Sequence, residues 1–161
     1  ASLGMPEVTL PVIPGMEGCH WPFRKTDSKN WSKLLDLLLL GKPVKASKAS
    51  GWLVDFSGSM EDSLKAVWNI VTHGEHNISK RTLNENSLAD ISKEVGDWLA
   101  SASVSGGEVG RKAISECITH SCQATLSESL DIQSKHSAGF MKSTHCNKGV
   151  VGSEFKKTMI V

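Results

Sequence analysis

Apolar residues recur with helical spacing in four stretches of this chain. Between Ser28 and Leu40, the residues Trp31, Leu34, Leu35 and Leu38 fall at i, i+3, i+4 and i+7, on one face of a helix. Leu37, Leu39 and Leu40 widen that face, which predicts deep burial. Asp27 or Ser28 can cap the helix, and Gly41-Lys42-Pro43 stops it. A second helix is predicted from Met60 to Thr72, with Leu64, Val67, Trp68 and Val71 as its core stripe. Ser59 and Asp62 form a capping box at its start. A third runs from Ser87 to Ser101, with Leu88, Ile91, Val95, Trp98 and Leu99 inward. A fourth runs from Glu108 to about Leu126, lined by Val109, Ala113, Cys117 and Ile118, with Ser105 and Glu108 as its capping box.

Strand signals are shorter. Val8 to Ile13 is strand-like, but Pro11 lacks a ladder donor, and Pro14-Gly15 and Gly18 break regular structure. Residues 1–26 therefore read as an extended N-terminal arm. Gly51 to Phe56 reads as a short buried strand that turns at Ser57-Gly58 into the second helix. Residues 42–50 form a small basic loop and 73–86 a polar one. From Ser127 the pattern fades; 133–149 read as a loop and 157–161 as a final strand. The expected fold is a single domain over residues 1–161, helix-rich α/β or α+β, with an all-α bundle as the alternative.

Composition narrows the function classes. With 39% apolar and 22% charged residues in 161, the chain is globular rather than disordered. No apolar run reaches the ~18 residues of a membrane-spanning helix, so no membrane span is expected. A net charge of +1 provides no overall field toward nucleic acid or an anionic surface. Two glycosylation sequons, at Asn30 and Asn77, matter only in a secreted chain. Phosphate-binding loops, dinucleotide fingerprints and Gly-x-Ser-x-Gly elbows are absent.

The most motif-like stretch is Asp55-Phe56-Ser57-Gly58-Ser59, at the expected strand–turn–helix. Asp55, Ser57 and Ser59 offer carboxylate and hydroxyl oxygens, the ligands that Mg2+ or another divalent cation prefers. Asp-x-Ser-x-Ser resembles the metal-binding loop of von Willebrand factor A-type domains. Gly106-Gly107-Glu108 onward is similar to the segment in which that family places a metal-coordinating threonine, here replaced by Glu108. The resemblance implies a divalent cation presenting an open position to an acidic group of a partner.

Three further clusters carry chemistry. Cys117, His120, His145 and Cys146 could supply four zinc ligands, with Cys117 and His120 at i, i+3 on one helix. The same cysteines also admit a disulfide to Cys146, or burial of Cys117 as a small hydrophobe. Cys19 beside His20 suggests a thiol nucleophile of a cysteine-dependent hydrolase, with any of several histidines as base. Lys42, Lys45 and Lys48 form a small basic patch for nucleic acid. Trp31, Trp68 and Trp98 read as core, and Trp21 and Trp52 as candidate contact residues. The leading expectation is a non-enzymatic binding domain with a protein partner. The cysteine hydrolase, the zinc module and the nucleic-acid binder are its alternatives.

Overall fold

The fold is built on the leucine-rich helix. In the computed structural model, which describes residues 1–10, 12–74, 78, 81–104 and 106–146, it forms as Trp31–Leu39 (α2) after a 3-10 turn at Ser28–Asn30. Asp27 caps that turn by accepting from the Lys29 amide. Leu34, Leu35, Leu38 and Leu39 are fully enclosed. They pack against Ile91–Ser101 (α5) and Glu108–Gln123 (α6) through Ile91, Val95, Ile114 and Ile118. The indole of Trp98 reaches across from α5 and donates to Asp36 of α2 at 2.9 Å. A final helix, Leu126–Met141 (α7), lies along α6. The sheet among the described residues is one antiparallel pair, Ser2–Leu3 (β1) with Val44–Lys45 (β2). The fold is thus helix-rich α+β. Among the described residues no helix is long and apolar enough to cross a membrane.

Several elements depart from the expected pattern. The N-terminal segment is not an extended arm. It folds through a 3-10 turn at Pro6–Thr9 and a one-turn helix at Trp21–Arg24 (α1), and it buries Val8, Ile13, Cys19, His20, Phe23 and Arg24. Non-periodic backbone drives this compaction. Met16 and Glu17 adopt left-handed conformations, and Gly18 sits where a Cβ would come within 2.9 Å of Pro14 and 3.1 Å of the Gly15 carbonyl. Gly51 to Phe56 is not a strand. Ala46–Ala49 (α3) runs into a turn in which Leu53 and Val54 donate back to the Ala49 carbonyl, so no partner strand is needed. The basic loop is in fact β2 and α3.

The fading region from Ser127 is largely α7, opened by a capping box between Thr125 and Glu128. Its fully buried positions, Ser129 and Gln133, are polar, so they leave no apolar stripe to read. Gln133 accepts from the Cys19 amide at 3.1 Å and donates to the Pro14 carbonyl at 3.0 Å. Helix α6 begins at Glu108, after Gly107 in a left-handed conformation. Ser105, the expected cap, and the expected strand 157–161 lie outside the described residues.

Arg24 ties these parts together. Its guanidinium is buried and donates to four main-chain carbonyls, Asn84 at 3.3 Å, Asn86 at 2.8 Å, Ser121 at 3.0 Å and Ala124 at 2.7 Å. Replacing Arg24 with Met leaves those acceptors without their donor inside the protein. Arg24→Met is expected to cost about 3–5 kcal/mol. Urea denaturation should register this as a midpoint lowered by roughly 1–3 M. A midpoint within error of wild type would show that the clamp contributes nothing net.

Candidate functional site

The second expected helix forms as Met60–His73 (α4), close to its expected bounds, but its apolar stripe does not face the core. Leu64, Val67, Trp68 and Val71 are 63%, 58%, 65% and 77% exposed, and Met60 continues the stripe outward. These five residues lie within an arc of about 100°. The half-buried residues of α4 are instead Ser63, Ala66, Asn69 and Ile70, so the helix shades its smaller, more polar side. Helical periodicity shows which residues share a face but carries no information on what covers it.

Local bonds hold α4 where packing does not. Ser59 accepts from the Asp62 amide at 3.1 Å, and the Asp62 carboxylate accepts from the Ser59 amide at 3.2 Å and hydroxyl at 2.6 Å. The expected capping box therefore forms, and its hydrogen bonds hold the Asp62 carboxyl below the usual carboxylate range. Lys65 pairs with Glu61 one turn back, at 2.7 Å. Gly74 ends the helix in a left-handed conformation and donates to the Asn69 carbonyl.

The cation ligands read from the sequence have other partners. Asp55 accepts from Arg81 Nε at 2.7 Å, and Arg81 also donates to the Trp52 carbonyl at 2.6 Å. The Arg81 hydrogen bond is the main reason that the Asp55 carboxyl lies below its ordinary range. Ser59 is engaged by Asp62, Ser57 is half-buried, and Glu108 stands exposed at the head of α6. A cation at Asp55, Ser57 and Ser59 would have to displace Arg81 from Asp55 and Asp62 from Ser59. Arg81 lies 26 residues beyond Asp55, and no spacing rule in the sequence announces that pair. A groove of about 790 Å³ opens beside it, lined by Lys25, Thr26, Asp27, Arg81 and Asp90 among others. It presents both signs of charge and singles out no ligand.

The zinc set does not converge. Cys117 is buried in the core, whereas His120 is exposed and shares a 2.9 Å hydrogen bond with His136 of α7. His145 packs against the Phe140 ring, and Cys146 is buried with its amide donating to Ser143. Cys117 turns inward from α6 while His120 sits at its solvent edge, so their spacing along the helix does not give a shared site. Among the described residues no group of three or more His, Cys, Asp or Glu side chains is placed to hold a metal ion.

Cys19 and His20 are adjacent but do not pair. The neighbouring Cys117, and then burial, hold the Cys19 thiol well above the usual thiol range. His20 is fully buried, and neither ring nitrogen has a hydrogen-bond partner among the described residues. Burial, with Arg24 adding to it, lowers its pKa from 6.5 to about 4. Lys42, Lys45 and Lys48 are exposed on β2, α3 and the residues before them. Trp52, the neighbouring aromatic, is buried under Lys33, so the patch has no stacking surface there. Of the other tryptophans, Trp31 and Trp98 are core as expected, Trp21 is partly exposed, and Trp68 is at the surface.

No protein-family model matches the chain, and no curated protein matches it.

Two outcomes follow from this geometry. Millimolar Mg2+ or Mn2+ should leave the melting temperature within about 1 °C, because Asp55 and Ser59 are already satisfied. Stabilisation by several degrees that disappears in Asp55→Asn would show that the cation displaces Arg81. For His20 the folded pKa lies below the unfolded one, so the unfolded chain binds the extra proton first. Stability is then full above about pH 6.5 and falls as pH drops toward 4, by at most about 3 kcal/mol from this group. Denaturation at pH 7.5 and pH 5 should show about 2 kcal/mol of that loss, and His20→Leu should reduce it. An unchanged slope in His20→Leu would assign the loss elsewhere, for instance to His136, whose pKa is lowered by burial and His120.

Proposed function

We propose that this domain acts by binding rather than catalysis, and that the outward stripe of α4 is its docking surface for a partner protein with an apolar groove. One observation carries the reading. A well-capped helix holds Leu64, Val67, Trp68 and Val71 in solvent at i, i+3, i+4 and i+7, the anchor spacing of helix-in-groove recognition. Burying each of these side chains is worth about 1.5–3 kcal/mol. A contiguous apolar patch of this kind marks interaction sites more often than bare surface. Trp68, at one edge of the stripe, is of the residue type most enriched at binding hot spots.

The test compares wild type with Leu64→Glu and Trp68→Glu. A partner captured by wild type should bind saturably, and each variant should weaken it at least about 30-fold in direct titration. Both variants should keep the melting temperature within about 2 °C, as surface substitutions do. Equal binding of the captured partner by wild type and variants would overturn the reading. So would a stability loss of core size, since it would place the stripe inside the protein.

A further inference from the structure

Helices α6 and α7 bring two histidines together at the surface. His120 Nδ1 lies 2.9 Å from His136 Nε2, and the ring centroids are 5.0 Å apart. His120 is exposed on α6, and His136 is half-buried on α7. Their backbones are fixed from behind. Ile118 and Ser121, on either side of His120, are fully enclosed. Gln133, one turn before His136, bonds to the Cys19 amide and the Pro14 carbonyl, and Phe140, one turn after it, packs on the core. The backbones that carry the two imidazoles are thus held by contacts that involve neither ring.

We propose that His120 and His136 form a two-imidazole binding site for a divalent transition metal that prefers right-angled coordination, Ni2+ or Cu2+. Two ring nitrogens that bind one metal at about 2.0–2.1 Å lie about 2.9 Å apart when the angle between them is a right angle, and about 3.3–3.4 Å apart in a tetrahedron. The observed separation matches the right angle. Small rotations of the rings turn both lone pairs away from each other and toward the metal. One ring donates the hydrogen bond in the metal-free pair. On binding, that proton passes through solvent to the other nitrogen of the same ring, so both imidazoles stay neutral and no proton is lost overall.

Among the described residues no third His, Cys, Asp or Glu side chain joins the pair to make a set of three. The remaining coordination positions therefore go to water or to a ligand from another molecule. A groove of about 440 Å³ beside His136, lined by Ile13, Glu116, Lys135 and Phe140 among others, gives them room. Mg2+ does not compete for this site, because it takes oxygen ligands. No residue of α4 belongs to the site, so it stands apart from the docking surface.

The experiment titrates Ni2+ into the full chain at neutral pH by calorimetry and repeats it with His120→Ala, His136→Ala and His73→Ala. The four cysteines are buried, which keeps their thiols out of the titration. Wild type and His73→Ala should bind one equivalent with a micromolar Kd, and each of the other two variants should weaken binding at least about 10-fold. Ni2+ at about a hundredfold over Kd should raise the melting temperature of wild type by roughly 5–10 °C. A second readout uses wild type alone and so does not depend on any variant folding. Ni2+ should protect both His120 and His136 from modification by diethyl pyrocarbonate, as read by peptide mass mapping, and leave the exposed His73 reactive. Absence of saturable binding, or equal affinity in all variants, would overturn the proposal. So would a loss in only one of His120→Ala and His136→Ala, or protection of only one of the two rings, since either marks a single-histidine adduct.

Discussion

A buried guanidinium held by main-chain carbonyls organises this molecule. Taking Arg24 out of water is costly, and four main-chain carbonyls offset that cost. Two of them, at Ser121 and Ala124, belong to the C-terminal end of α6, where carbonyls lack helical partners and the helix dipole is negative. The other two belong to the segment at 84–86, and Asn84 in return donates to the Arg24 carbonyl. Further bonds run alongside, from Leu88 to the Cys122 carbonyl and from Leu126 to the Glu85 carbonyl. An irregular segment with no helix or sheet of its own thus has its backbone satisfied by α1 and the α6–α7 junction. The placement of α5, which follows that segment, depends on this clamp.

Where apolar period and burial coincide, the chain is legible. Leu34, Leu35 and Leu38, or Ile91, Val95 and Trp98, announce both a helix and its inward face. Legibility fails where burial falls on polar or irregular positions. Gln133 is inward on α7 because it bonds the N-terminal segment, Ser129 is satisfied by the Leu126 carbonyl of its own helix, and neither residue type signals burial. That segment is itself buried through left-handed turns at Met16 and Glu17, which propensity does not anticipate. Trp52-Leu53-Val54 has strand composition, yet hydrogen bonds back to Ala49 close it into a turn. Asp55 reads as a free oxygen donor only until Arg81 is placed beside it.

The candidate site was half legible. The bounds, cap and stripe of α4 follow from sequence, whereas its direction depends on tertiary placement. A stripe of Leu, Val, Trp and Val ordinarily means core, and here it means surface. The helix tolerates this because its capping box, its Glu61–Lys65 pair and the Gly74 terminus act within α4 and need no neighbour. Its shape is therefore set before any partner arrives, which lowers the ordering entropy that binding must offset.

The tryptophans have a consequence of a different kind. Trp31, Trp52 and Trp98 are enclosed, while the indole of Trp68 stands in water on α4. The chain contains no tyrosine, so its near-ultraviolet emission comes almost wholly from tryptophan. Its red edge belongs mainly to the most solvent-exposed indole, Trp68, with a smaller share from the partly exposed Trp21. The protein therefore carries an intrinsic optical probe on the surface proposed to dock. Any event that covers α4 shifts that emission to shorter wavelength while the enclosed indoles hold the baseline.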